Sequence, residues 1–304
     1  MSQKRLLEEG FVFILSMLLL AGCGKATSAQ TATYTRNPPT TTPVSTVTLP
    51  ATPSVTRLSP TPAKLPRGPG VEWHLVVISE SSGWGLGEAY ASQIEEDVGV
   101  KVTLDNFAIG DLSAGDVLDE LQTGKSPVPE LEGLPAALAN AEVVLVFPNP
   151  MRSLDHGAFL SIQECFGDIV GTPIPCNSEG FEKYTSDLEA IWAKIFEYRS
   201  GKPTILRALD YANPFVSRWN ENQIFDACTA CWECVSVAAR KAADAFHIPF
   251  LSRYDIFNGA VHNIDPAQNG YIGGDGIHPN GLAQQYTAEL LSKLGYEPVT
   301  PPSR

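Results

Sequence analysis

The sequence is poor in basic residues where a globular fold would form. Residues 71–304 hold 14 lysines and arginines against 32 aspartates and glutamates, a net charge of −18. Nucleic acids and anionic lipid headgroups bind basic surfaces, so this composition argues against both as partners. We expect a neutral or cationic small molecule or glycan as the substrate, and a monomer.

Long hydrophobic runs are also missing, except for residues 11–21, where only Ser16 is polar. This run follows Lys4 and Arg5 and is shorter than the roughly 20 residues that span a bilayer, so it is typical of a signal peptide. It leads through small residues into Cys23, an order that resembles the lipobox of bacterial lipoproteins. We therefore expect a signal peptide at 1–22, lipid on Cys23 and an extracytoplasmic, cell-surface location. The alternatives are an ordinary signal peptide with a chance cysteine and an uncleaved anchor. Both would also place the chain outside the cytoplasm.

Residues 23–70 contain no acid and almost no large apolar side chains. They consist mainly of Thr, Pro, Ser and Ala, with five basic residues. Such a segment cannot bury enough apolar surface to offset its ordering entropy, so we expect a disordered tether. Residues 71–304 are even in composition and free of internal repeats, which suits one domain.

Short β-branched apolar runs alternate with amphipathic stretches along residues 71–304. The predicted strands are 73–78, 100–108, 142–147, 204–209 and 249–256, and the predicted helices are 87–97, 113–121, 181–198, 222–246 and 282–294. This alternation predicts an α/β fold, a parallel five-stranded sheet with helices on both faces. Residues 151–180 have no clear period and are expected to form an insertion near the active-site rim.

Polar residues follow the predicted strands at the edge where ligands bind in parallel sheets. Ser81, Gly110 and Asn149 come after the first three strands, and Asp275 with His278 lie in the loop after the last. Ser81 would be the nucleophile, His278 its base and Asp275 the group that orients the base. The N–H groups of Ser81 and Gly110 and the Asn149 amide would form an oxyanion hole.

Other interpretations of these residues remain open on the sequence alone. Asp275 and His278 suit a turn that caps a helix or a pair of metal ligands, and a serine between strand and helix is often an N-cap. Zinc needs further ligands, and the remaining histidines show no matching spacing: His74, His156, His247 and His262. We expect His262 to be exposed to solvent.

Together these residues resemble the sequence blocks of SGNH hydrolases, the GDSL esterase/lipase family. The matching residues are Ser79-Glu80-Ser81 with Gly85, then Gly110, Asn149 and the pair Asp275-x-x-His278. The resemblance covers residues 72–295 and implies a three-layer flavodoxin-like fold, serine ester hydrolysis through an acyl-enzyme, and no metal or organic cofactor. The chain departs from the family pattern at Ser79 and Glu80 in the first block and at Phe147 and Pro148 beside Asn149.

The sequence therefore predicts a cell-surface serine esterase that acts on acyl or acetyl esters of small molecules or glycans. The alternative is a lipoprotein of the same fold that binds a glycan or peptidoglycan fragment without catalysis. The altered block around Asn149 and the long tether favour that alternative.

Five cysteines follow Cys23, and pairing is expected in an oxidising compartment. Cys165 and Cys176 flank a segment rich in Gly and Pro, so we expect them to pair with each other. A second bridge is expected within Cys228-x-x-Cys231-x-x-Cys234, between either adjacent pair, with one thiol left over. In a secreted chain, structural disulfides are favoured over a redox or zinc site.

Overall fold

Five strands in the described part of the chain pair in parallel into one sheet. They are β1 (Glu72–Ser79), β2 (Lys101–Ala108), β3 (Val143–Phe147), β4 (Ile205–Leu209) and β5 (Phe250–Leu251). Their order across the sheet is β2-β1-β3-β4-β5, which is the flavodoxin-like order. The computed structural model describes residues 64–166 and 176–301. The expected signal peptide, Cys23 and residues 23–63 of the tether lie outside the described residues.

Helices connect the strands and cover both faces of the sheet. They are α1 (Leu86–Val98), α2 (Ala114–Thr123), α3 (Leu134–Asn140), α4 (His156–Phe166), α5 (Glu182–Arg199), α6 (Val216–Glu221), α7 (Phe225–Ala245), α8 (Arg253–Asn258) and α9 (Gly281–Lys293). Successive strand residues point to opposite faces, and every residue of β3 and β4 is buried, so neither face is open to solvent. Helix α1 packs against α9, whereas α5 packs against α2, α3 and α7. The predicted fold class is confirmed.

Two predicted boundaries are wrong for local reasons. The strand expected over 249–256 is only two residues long, because the Ser252 side chain accepts a hydrogen bond from the Asp255 N–H and starts α8. The segment 151–180, expected to lack periodic structure, contains α4, and its residues 167–175 lie outside the described residues. The buried positions of α4 follow helical spacing. Two of them are Ser161 and Cys165, which are not large apolar residues, so the hydrophobic periodicity of this helix is weak in the sequence.

The last part of the expected tether lies along the domain. Leu65 packs against the core, and the Trp73 indole N–H donates to the Pro66 carbonyl at 2.9 Å. An Arg67 guanidinium N–H donates to the Tyr296 carbonyl at 3.3 Å. Within residues 64–166 and 176–301, no helix is both long and apolar enough to cross a bilayer.

The disulfide pairing differs from the expected one. Cys165 on α4 is bonded to Cys228 on α7, and Cys176 is bonded to Cys231, also on α7. The expected pairing of Cys165 with Cys176 is therefore wrong, and so is a bridge within the 228–234 motif. A spacing of three residues puts Cys228 and Cys231 on one face of α7. Each therefore bonds to a cysteine from another segment that packs against this face, and not to a cysteine of the same helix.

Cys234 is the free thiol among the described cysteines. Burial raises the pKa of this thiol, and the nearby Glu233 carboxylate raises it further. A thiol with a raised pKa is a poor nucleophile, so Cys234 is suited to packing and not to reaction.

Candidate active site

Ser81 opens a tight turn at the carboxyl end of β1, which lies between β2 and β3 in the sheet. The chain leaves β1 at Ser79 and forms one turn of 3₁₀ helix over Ser81–Gly83 before α1 begins. Glycine is required at the end of this turn, because a Cβ on Gly83 would lie 2.0 Å from Ser79 Oγ and 2.8 Å from Ser79 Cβ. The turn therefore presents the Ser81 hydroxyl at the rim of the sheet.

The Asp275 carboxylate is held by its own loop. Its Oδ1 accepts hydrogen bonds from the backbone N–H groups of Ile277 at 2.9 Å and His278 at 3.0 Å, and its Oδ2 lies 2.7 Å from His278 Nδ1. Hydrogen bonds hold the pKa of Asp275 well below its ordinary value. The largest effect comes from the Ile277 N–H, followed by the His278 N–H and the His278 imidazole. The carboxylate is therefore ionised at neutral pH, and it keeps the ring proton of His278 on Nδ1.

The other imidazole nitrogen faces the serine. His278 Nε2 lies 2.9 Å from Ser81 Oγ, although the two residues are 197 positions apart. The Trp84 ring stacks on the imidazole with 5.0 Å between ring centroids, and its Nε1–H donates to the Ala108 carbonyl at 3.0 Å. The structure thus brings the three predicted side chains into one line of hydrogen bonds, with an aromatic ring fixing the plane of the base.

The helix-capping interpretation of the loop holds for a neighbouring residue. The Asn280 side chain, not Asp275 or His278, accepts from the Ala283 N–H and caps α9. Asp275 and His278 remain available for each other and for Ser81.

Glu80 supplies a second acceptor for the serine hydroxyl. Ser81 Oγ donates to Glu80 Oε2 at 2.7 Å, while Glu80 Oε1 accepts from the Ser82 N–H at 2.8 Å. A hydroxyl has one hydrogen, so Ser81 donates either to Glu80 or to His278 at any moment. The sequence revealed Glu80 as a departure from the family pattern but gave no sign that its carboxylate reaches the nucleophile.

Two buried side chains from distant helices hold the nucleophile turn. Arg253 of α8 donates from Nη1 to the Ser82 carbonyl at 3.2 Å and from Nη2 to Ser82 Oγ at 2.8 Å. Gln284 of α9 donates from Nε2 to the same carbonyl at 2.8 Å. Burial lowers the pKa of Arg253, and the charges of Glu80, Tyr211 and Asp210 oppose that shift. No local sequence signal marks Arg253 or Gln284, because each contacts Ser82 only in the folded chain.

The two further residues predicted for the oxyanion hole lie in adjoining loops. The loop after β3 pairs with the loop after β2, since the Asn149 N–H donates to the Leu112 carbonyl at 2.9 Å. Asn149 Oδ1 accepts from the Met151 N–H at 3.0 Å, which sets the orientation of the side-chain amide. Among the described residues, neither Asn149 Nδ2 nor the Gly110 N–H has a hydrogen-bond partner, so both donors are free.

The bulky residues beside Asn149 point into the fold. The Phe147 ring is buried, and the Arg253 guanidinium lies 4.7 Å from its centroid. The carbonyl oxygen of Pro148 accepts from the Tyr184 hydroxyl at 2.9 Å. Both residues are therefore buried in the fold.

A cavity of about 530 Å³ adjoins this site and includes Ser81, Asn149 and His278 in its lining. Gly110 does not line it, but the next residue, Asp111, does. Asp111 has a backbone φ of 58°, in the left-handed region that non-glycine residues rarely adopt.

His262 lies outside this site. It is partly buried, whereas we expected it to be exposed to solvent. Its Nε2 is 2.8 Å from Asp255 Oδ1, its Nδ1 is 3.1 Å from Glu233 Oε1, and its ring stacks on Tyr254. Three acidic, histidine or cysteine side chains arranged to hold a metal ion do not occur anywhere in residues 64–166 and 176–301.

Comparison with known proteins gives no match in sequence and several in structure. No protein family model matches the chain, and no curated protein matches it in sequence. The lipase Lip_vut3 from a goat rumen metagenome superposes with a TM-score of 0.50 at 18% identity, covering 74% of this chain and 98% of the lipase.

Two other solved structures have lower TM-scores. A lipase/acylhydrolase from Enterococcus faecalis has a TM-score of 0.46 and 16% identity, covering 76% of this chain and 100% of its own. A family 3 carbohydrate esterase from Clostridium thermocellum has a TM-score of 0.42 and 13% identity, covering 73% and 94%. At these identities the similarity to Lip_vut3 establishes a common α/β fold, and the chemistry has to be argued from the site itself.

Proposed function

We propose that this protein is a serine hydrolase of the SGNH type that cleaves carboxylic esters through an acyl-enzyme. The observation that carries the proposal is the continuous line of hydrogen bonds from Asp275 through His278 to Ser81, with heavy-atom distances of 2.7 and 2.9 Å. These distances are within the range in which a base removes a proton from a nucleophile.

The reaction follows from the positions of the protons. His278 Nε2 takes the Ser81 hydroxyl proton as Oγ attacks the ester carbonyl, and Asp275 stabilises the imidazolium that forms. The tetrahedral intermediate then breaks its bond to the alcohol, which leaves with the proton from His278. A water molecule, deprotonated by the same nitrogen, attacks the acyl-enzyme and releases the acid and the free serine.

Negative charge develops on the former carbonyl oxygen during both attacks. The free donors on Gly110 and Asn149, with the Ser81 N–H, supply candidate hydrogen bonds to that oxygen. Each well-placed donor of this kind lowers the barrier by about 3 kcal/mol.

We further propose that the enzyme acts outside the cytoplasm, anchored through lipid on Cys23. Two disulfides that join α7 to Cys165 and Cys176 support an oxidising compartment. The enzyme would then work at the cell surface on esters of small molecules or glycans.

Labelling with a fluorophosphonate probe tests the proposal, because such probes react with an activated serine. Wild-type protein should be labelled, and Ser81→Ala should not. Ser92→Ala is the matched control, since Ser92 is exposed on α1 and bonds only to the Glu88 carbonyl. His278→Ala should lose at least about 10³-fold in ester turnover with little change in melting temperature. Absent labelling of the wild type would favour a binding protein without catalysis.

A further inference from the structure

The cavity beside Ser81 is larger than a small ester needs. It extends from Ser81 and His278 to the aromatic side chains Phe166, Phe215 and Trp232. Its volume is about 530 Å³, whereas a methylene or methyl group fills roughly 30 Å³, about the share of one water molecule. An acetyl group would leave most of this space unfilled by substrate.

The far wall of the cavity is mostly apolar, although Gln163 and Arg218 also line the cavity, and several of its polar atoms already have partners. The Trp232 indole N–H donates to the Tyr211 carbonyl at 3.0 Å, and the Tyr211 hydroxyl donates to the Phe147 carbonyl. Ile162 of α4 and Val235 of α7 complete this side of the cavity with aliphatic surface. A ligand reaching this wall therefore gains by burying apolar groups and finds few hydrogen bonds to make.

The wall is also held open by covalent and aromatic contacts. Phe166 packs edge-on to Phe215 with 5.2 Å between ring centroids and lies 5.5 Å from Trp232. The Cys165–Cys228 disulfide joins α4 to α7 directly beside these rings. A wall braced in this way keeps its shape without a ligand, which lowers the cost of binding one.

We propose that this cavity binds the acyl chain of the substrate, an unbranched aliphatic chain of about eight to twelve carbons. The proposal rests on the esterase function, since the carbonyl carbon of the acyl chain must meet Ser81 Oγ, which lies in the cavity lining. A ten-carbon chain occupies roughly 300 Å³, which the cavity accommodates. The inference thus assigns the enzyme to medium-chain acyl esters and not to acetyl esters.

Chain-length preference is the direct test. For p-nitrophenyl esters hydrolysed by the full-length protein, kcat/KM should rise about fourfold per added methylene from acetate onward. The increase from acetate to hexanoate should therefore exceed about 100-fold. A profile that is flat, or that falls from acetate, would overturn the proposal.

Two valines on α7 provide a matched pair of variants. Val235 lines the cavity, whereas Val237 is 63% exposed on the same helix. Val235→Phe should shift the optimum to chains shorter by two or more carbons, and Val237→Phe should keep the wild-type profile. Equal profiles for the two variants would count against the cavity as the acyl site.

A binding measurement separates this proposal from the esterase function itself. Decanamide should bind to Ser81→Ala at least about 100-fold more tightly than acetamide in calorimetry, and Val235→Phe should weaken decanamide binding at least tenfold. Preferential binding without probe labelling of wild-type Ser81 would remove the esterase function and keep the apolar site. Probe labelling of Ser81 without that preference would keep the esterase function and overturn the acyl-chain site.

Discussion

At the scale of single residues, the role of Asp275 depends on which of its oxygens meets which hydrogen. Oδ1 is occupied by two backbone N–H groups of its own loop, and Oδ2 faces His278 Nδ1. In Asp275→Asn the amide oxygen can keep the backbone bonds, which places the NH₂ group against His278. The imidazole must then carry its proton on Nε2, where it cannot accept the Ser81 proton.

We therefore expect Asp275→Asn to lower kcat by about 10⁴-fold while the loop stays folded. Ester turnover and the melting temperature, measured on the same preparation, check this.

The pKa of Asp275 is lowered in the folded state, so its stabilising effect is complete above about pH 4 and is lost only as pH falls through the lowered value. Protonation of Asp275 should therefore not account for any loss of wild-type activity between pH 5 and pH 7. Near-wild-type turnover by Asp275→Asn would contradict the assigned role.

Glu80 and Arg253 place two opposite charges beside the turn that carries Ser81. Glu80 accepts from the Ser81 hydroxyl and the Ser82 N–H, while Arg253 donates to the Ser82 carbonyl and hydroxyl. The turn that carries Ser81 is thus bonded on both sides by charged groups. Such charge-assisted bonds are stronger than neutral ones, so the backbone at Ser81 is held before any substrate arrives.

At the scale of secondary structure elements, α4 and α7 depend on their disulfide. The Cys165–Cys228 bridge closes a loop with a sequence separation of 63 residues. The Cys176–Cys231 bridge already joins the same two segments of the chain, so the Cys165–Cys228 bridge closes a further loop of roughly 15 residues, for which chain entropy gives about 3 kcal/mol of stabilisation. The double variant Cys165→Ser with Cys228→Ser should lower the free energy of unfolding by about 2–5 kcal/mol in urea titrations.

Cys234→Ser is the control for that experiment, because Cys234 lies on α7 without a disulfide partner. Its free energy of unfolding should stay within about 0.5 kcal/mol of wild type. Equal stability of the double variant and this control would mean that the aromatic contacts between α4 and α7 suffice without the bridge.

At the scale of the whole molecule, a basic N-terminal segment precedes a strongly acidic domain. Residues 23–70 carry five basic side chains and no acid, whereas residues 71–304 have a net charge of −18. The acidic domain is repelled by anionic lipid headgroups, so attachment to a membrane would have to come from the N-terminal segment.

Cys23→Ser tests that attachment in cells that process lipoproteins. The wild-type chain should incorporate radiolabelled palmitate and sediment with membranes, and the variant should lose the label because its side chain cannot be lipidated. Cys234→Ser should behave as wild type. Palmitate incorporation that persists in Cys23→Ser would rule out the lipobox interpretation.

Much of the fold could be predicted because its signals are local. The β-branched runs around 73–78 and 142–147 mark strands wherever they pack, and their alternation with helices leaves a parallel sheet as the simplest arrangement. The rim residues followed from the same logic, since the ends of parallel strands meet at one edge. Asp275 and His278 are three residues apart, so their hydrogen bonds also arise within one loop.

Tertiary packing decided everything that joins distant segments. Cys165 bonds to Cys228 instead of Cys176, and Arg253 and Gln284 hold Ser82, because folding sets these separations and sequence spacing does not. The cavity also depends on tertiary packing, since its walls come from α4, α7 and the loops at the carboxyl ends of the strands. The sequence by itself determined which chemical groups and elements the protein has, because propensity and periodicity act over a few residues. Only the tertiary structure decided which of those groups meet and how much space lies beside the nucleophile, because contacts across the chain depend on how the helices pack against the sheet.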